Sequence, residues 1–299
     1  RPWCREGPFH PLKSERPALT AIPYLPQFSI EWMAMSHNAP ETFARHIGID
    51  YSGAKTADAG LPGLRVYQAK GPSTAQEILP PSTHRRKHWS RRGVFEWLAN
   101  QLTADSPVII GIDHGFSFPL AYFERHSLPL DWPGFLVDFH AHWPTDAADI
   151  TVDAVRKGLV GRAAQRGGQA LWRRLCEQRT RAKSVFHFDV PGSVAKSTHA
   201  GLPWLLKLRE QFPETLHFWP FDGWQIPAGK SVIAEIYPSL WSADYPRGTR
   251  TPDQHDAFVT ATWLSEVDQT GQLTRYLTPD LSSDVLAAAQ VEGWILGVL

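Results

Sequence analysis

Cysteine is almost missing from this chain: Cys4 and Cys176 are the only two in 299 residues. Two cysteines exclude a disulfide framework and a four-cysteine zinc site, and they suit a reduced compartment. No apolar run approaches the roughly 20 residues of a membrane-spanning helix. A basic start followed by an apolar stretch, the mark of a signal peptide, is also missing, so a cytoplasmic location with no membrane partner is expected. Net charge is nil, with 30 Lys and Arg against 30 Asp and Glu. The strongly basic balance common among nucleic-acid-binding proteins is therefore lacking overall. Four catalytic signatures are absent as well: His-Glu-x-x-His, Gly-x-Ser-x-Gly, Gly-x-Gly-x-x-Gly and a Walker loop. Zinc-protease, serine-hydrolase, nicotinamide and P-loop chemistries find little support.

What is present suits one large α/β domain. Hydrophobic residues make up 42% of the chain, enough to bury a sizeable core without disulfides. Residues 1–34 differ from the rest. They are proline-punctuated and aperiodic, and "MSHNAPETFARHIGID" after them reads like a natural start. That segment is read as an upstream extension, poorly ordered and outside the fold, with residues 35–299 as a single domain.

Strands are expected at His46–Asp50, Gly63–Ala69, Gln76–Leu79 and Pro107–Asp113, with a helix at Trp89–Leu102 between the last two. A long insertion, about 114–214, follows. Its "FSFP" and "DWPGF" look like loops, and "DFHAHWP" carries His140 and His142 at strand-like spacing. Helices are expected at Val152–Val160, Gln169–Arg181 and Leu202–Phe212. Strands at Leu216–Phe221 and Ser231–Tyr237 come next. Asp253–Val267 then reads as a strong helix, with Thr251, Pro252 and Gln254 forming its capping box. The apolar tail "EGWILGV" is expected to return to the core.

The acids carry the chemistry. "IGID" occurs twice, at Ile47–Asp50 and Ile110–Asp113. Each copy is an apolar strand that ends in one carboxylate. A lone Asp there often caps a turn. Two in the same context point to a shared crevice, where carboxylate oxygens suit a hard cation such as Mg²⁺ or Mn²⁺. Glu235 stands inside the apolar "VIAEIYP" and needs a partner; a metal is favoured over a salt bridge to an arginine. Asp253 and Asp256 share one helix face at i, i+3. Such a set can bracket cations for phosphodiester chemistry.

Taken together, "GIDYSGA", "IGIDHGFSFP", "AEIYPSLW", "DQHDAFVTATWL" and "EGWILGV" resemble a bacterial family of unknown function whose members are regarded as ribonuclease-H-like nucleases. The resemblance covers most of residues 46–298. It implies a ribonuclease-H-like α/β fold: a mixed sheet whose first three strands are antiparallel, with helices on both faces. It also implies that Asp50, Asp113 and Asp256 bind metal, with Asp253 a turn earlier and Glu235 matching the family's own E-x-Y-P motif. The first-helix glutamate of ribonuclease H is not matched convincingly by Glu96.

Nucleic acid is the implied partner. Two basic runs, His84–Arg92 and Arg156–Lys183, offer a phosphate-attracting surface. One alternative keeps the fold but changes the chemistry to kinase- or ATPase-like phosphoryl transfer, on the strength of Asp50, Ser52, Gly53, Lys55 and Thr56 in "DYSGAKT". Another is a non-catalytic metal- or nucleic-acid-binding module.

Overall fold

The computed structural model describes residues 43–299, apart from 72, 83–86 and 105. The expectations for residues 1–34, and for His84, Arg85 and Arg86 of the first basic run, lie outside the described residues.

Six strands form one mixed sheet among the described residues. β1 (Arg45–Asp50), β2 (Arg65–Ala69) and β3 (Gln76–Glu77) make an antiparallel meander. β4 (Val108–Asp113) then lies parallel to β1, and β6 (Ser231–Glu235) parallel to β4. β5 (Leu216–Trp219) closes the edge, parallel to β6, so the order is β3-β2-β1-β4-β6-β5. β1, β4 and β6 are nearly continuous apolar runs because both faces are covered, as parallel strands require. The third strand is shorter than expected, two residues rather than four.

The two "IGID" copies lie side by side in register: Ile47 with Ile110, Gly48 with Gly111, Ile49 with Ile112 and Asp50 with Asp113. Side chains alternate across a strand. Ile47, Ile49, Ile110 and Ile112 enter the core of one face, which includes Val94 and Leu98 of α1 (Arg91–Leu102) and Leu205 and Leu208 of α6 (Ala195–Gln211). Gly48 and Gly111 face α7 (Pro252–Gln269) on the other side. A Cβ on Gly48 would stand 2.3 Å from the Ala257 carbonyl oxygen, and one on Gly111 would stand 2.8 Å from Thr260 Cγ2. The glycines therefore let α7 lie against the sheet. The α7 capping box forms as the sequence predicts: Thr251 Oγ1 accepts from Gln254 N at 3.2 Å, and Thr251 N donates to Gln254 Oε1 at 3.0 Å.

The insertion departs most from expectation. "DWPGF" is not a loop but the start of α3 (Trp132–His142), where Asp131 accepts from Gly134 N at 2.8 Å. His140 and His142 accordingly lie on a helix, not a strand. α2 (Leu120–Arg125) precedes it. α4 (Val152–Arg156) and α5 (Leu175–Thr180) are shorter than predicted, whereas α6 starts seven residues early, at Ala195. The polar first turns of α6 have little helical signal, but contacts hold them. Thr198 Oγ1 accepts from Gly115 N at 2.8 Å, and Gly201 lies against the His114 ring.

α8 (Leu273–Leu277) and α9 (Ser283–Glu292) follow α7. The tail returns to the core as anticipated: Trp294, Ile295 and Leu296 are buried, and Leu296 N donates to the Glu235 carbonyl at 2.9 Å. No helix among the described residues is long and apolar enough to cross a membrane.

Candidate functional site

Asp50 and Asp113 occupy equivalent places at the ends of β1 and β4. Neighbouring strands run about 4.8 Å apart, so the register fixes the two backbones at that separation. Both side chains share the parity of Gly48 and Gly111 and emerge on the α7 side. Asp253 and Asp256 lie in the first two turns of α7, one turn and more before Thr260, the residue packed on those glycines. All four acids are half-buried at this edge.

Their electrostatics record the convergence. Burial and the neighbouring Asp113, Asp253 and Asp256 raise the Asp50 carboxyl well above its usual value. Burial, then Asp256 and Glu235, push Asp113 up to about 8. Asp253 and Asp256 are raised as well, chiefly by burial, with Asp253 adding to the rise at Asp256. Arg65 offsets charge at Asp50 and Asp253, but it is itself paired with Glu77 at 3.0 Å. Like charges gathered in a partly desolvated place disfavour full ionisation unless a cation joins them. Among the described residues, no three His, Cys, Asp or Glu side chains stand close enough together to ligate one ion.

Glu235 has a different setting. Its register partner is Ile112, so it points to the face opposite Asp113. Both of its oxygens are taken by Arg174, Oε2 by Nη1 at 2.6 Å and Oε1 by Nη2 at 2.5 Å, and Oε2 also accepts from Phe116 N at 3.0 Å. The salt bridge to arginine, set second from sequence, is the arrangement found. Arg174 is fully buried and also binds Glu177 at 2.9 Å. Glu292 completes the knot by accepting from Leu120 N and Leu175 N, each at 2.7 Å. Arg174 belongs to the basic run expected to attract phosphate, but this member of it is internal.

Sequence reasoning missed three parts of the surroundings. Arg91 is buried and donates to the carbonyls of Ser52, Ala54 and Lys55 at 3.2, 2.8 and 3.2 Å, pinning the loop after Asp50. In the same loop, a Cβ on Gly53 would come within 2.0 Å of the Lys196 carbonyl oxygen, so α6 abuts the loop backbone. Tyr51 and His114, the residues after the two acids, meet edge to face at 4.7 Å. His114 is buried and lowered to about 4, so it is neutral at ordinary pH. The doubled tetrapeptide was the one signal for that last pair. Glu96 is exposed on α1, in keeping with its poor match, and His255 is buried against the Ser242 carbonyl at 3.0 Å.

No known family model, curated protein or solved structure matches the chain. The function is therefore read from the site itself.

Proposed function

We propose that this chain is a divalent-metal-dependent phosphodiesterase acting on nucleic acid, built on a ribonuclease-H-like sheet. The observation that carries the reading is the pairing of Asp50 and Asp113, in register on parallel strands at the edge where the acidic first turns of α7 pack. An antiparallel meander followed by strands parallel to β1, with helices on both faces, accords with that fold.

The donor set fits Mg²⁺ or Mn²⁺ in kind, because every candidate ligand is a carboxylate oxygen. Asp50, Asp113 and Asp256 would hold the metal, with Asp253 beside them. The ion would supply compensating charge and an activated water. No three of these side chains stand close enough to ligate one ion together, so holding an ion calls for them to close on it. Glu235 is left out of the proposed set because Arg174 occupies both its oxygens. Its role is to fix the turn after Asp113 through Phe116 N.

The kinase-like reading gains less. The glycine of "DYSGAKT" faces a carbonyl oxygen of α6, which repels phosphate rather than cradling it.

The test is cleavage of labelled single-stranded, duplex, hybrid and branched nucleic acids with Mg²⁺ or Mn²⁺. The expected result is cleavage that needs the ion and falls at least about a hundredfold in Asp50→Asn and in Asp113→Asn, a loss near 2.7 kcal/mol of barrier. Cleavage that survives Asp50→Asn overturns the reading. So does the lack of any cleavage in a protein that calorimetry shows to bind Mn²⁺, which leaves a non-catalytic metal-binding module.

A further inference from the structure

Away from the acids, the insertion forms an open cleft of about 700 Å³, large enough for a nucleotide-sized ligand. Its walls include Trp143, Phe188 and His199. The Trp143 and Phe188 planes are nearly parallel, 7° apart with centroids 6.2 Å apart, and the His199 ring lies 4.5 Å from one and 4.6 Å from the other. Two polar atoms in this aromatic setting are unusual. The Trp143 indole N–H is buried and has no partner among the described residues. His199 Nδ1 lies 2.8 Å from the Ala195 carbonyl, which can only accept, so Nδ1 carries the hydrogen and Nε2 is left as an acceptor. Burial lowers His199 to about 3, which keeps that acceptor neutral.

The rim is cationic. Arg156 and Lys157 at the end of α4 are exposed and line the cleft. The Arg156 guanidinium lies over the Phe188 ring at 4.6 Å. Its carboxylate partner is Asp189, whose side chain is 76% exposed, and an exposed pair of this kind contributes little. A phosphate matches the same fork and can take the place of Asp189.

We propose that this cleft is a nucleotide subsite that takes one nucleoside monophosphate unit, the base against Trp143, Phe188 and His199 and the phosphate against Arg156 and Lys157. The half-buried Phe188 ring offers an aromatic contact to any base, and the orphan Trp143 N–H and the free His199 nitrogen are one donor and one acceptor for its edge. α6, which carries His199, also reaches the loop after Asp50. Lys196 Nζ binds Asp153 of α4 at 2.7 Å, while the Lys196 carbonyl abuts Gly53, three residues after Asp50. The inference rests on the proposed function for what the nucleotide belongs to, but not for the binding itself.

Full-length Asp50→Asn protein in EDTA removes both metal and turnover. Titration with AMP, CMP, GMP and UMP, followed by calorimetry, is expected to give dissociation constants below ~1 mM. Adenosine and ribose 5-phosphate, each lacking one half of the ligand, should bind at least about tenfold more weakly. Arg156→Ser with Lys157→Ser should weaken AMP by about tenfold or more at unchanged melting temperature. Trp143→Phe, which keeps a ring but loses the N–H, should weaken it by a smaller factor. A 5′-phosphorylated tetranucleotide that binds more tightly than AMP assigns the subsite to a strand; equal affinity assigns it to a free nucleotide. No binding at 10-fold above that millimolar bound, or affinity indifferent to the Arg156/Lys157 double substitution, overturns the proposal. Because metal and turnover are excluded, this outcome is independent of the cleavage assay.

Discussion

Asp113 is the most informative single residue. Its carboxyl is raised to about 8, whereas an unfolded aspartate titrates near 3.9. Between those values the native state holds a proton that the unfolded state lacks, so stability falls as pH rises toward 8. His114 and His199 act in the opposite sense. They are lowered to about 4 and about 3, so below about 6.5 the unfolded imidazoles bind protons the native ones do not, and stability falls as pH drops. The two effects oppose each other between about 4 and 6.5, and above that only the carboxylate effect remains. The melting temperature of the metal-free protein is therefore expected to fall between about pH 6.5 and 8.5, and Asp113→Asn should flatten that slope. Parallel slopes in the two proteins would mean that the folded protein does not raise the Asp113 carboxyl. At this scale the sequence was legible where a residue contradicts its surroundings, as an acid does at the end of an apolar strand. Glu235 contradicts its surroundings just as sharply, yet its partner Arg174 lies 61 residues away, and no local pattern points to a pairing of that range.

At the scale of elements, the sheet and α7 were legible because their periods are clean. β1, β4 and β6 are short apolar runs, and α7 announces its start with Thr251, Pro252 and Gln254. The insertion was harder. α5 ends after six residues, and α6 begins in a Ser-Thr-His segment that only its contacts with Gly115 and His114 make helical. The fit of α7 on the sheet depends on two missing side chains. Gly48→Ala would drive a methyl group into the Ala257 carbonyl, and overpacking of this kind costs about 1–3 kcal/mol. Urea denaturation should register that loss. The same variant should bind Mn²⁺ more weakly, because α7 and its acids are lifted from Asp50 and Asp113. An unchanged Mn²⁺ affinity at reduced stability would separate α7 from the site. Thr251→Ala should cost about 1 kcal/mol through the lost cap, again read by denaturation.

Across the whole molecule, Arg174 joins parts that are distant in sequence. It binds Glu177 at the start of α5, Glu235 at the end of β6 and the Glu292 carbonyl at the end of α9. Arg174→Met leaves Glu235 and Glu177 buried without their cation, and loss of one member of a buried pair costs about 3–5 kcal/mol. Replacing Glu235 by Leu in the same chain should recover much of that, since an apolar pair need not be less stable than a buried ionic one. If the double variant is as unstable as the single one, the knot holds the fold through more than this pair. Either way, the insertion is tied to the sheet by charge as well as by its aromatic core, so it is not a detachable module.

The registered tetrapeptides carry one more consequence. The spacing of Asp50 and Asp113 is set by backbone hydrogen bonding between two strands, not by the side chains around them. The sheet thus acts as a ruler whose unit is the interstrand repeat. Substitutions elsewhere can tilt or loosen the site, but they cannot gradually stretch the distance between these two backbones. Change at this pair comes in discrete steps: an acid is kept, lost, or lengthened by one methylene as glutamate.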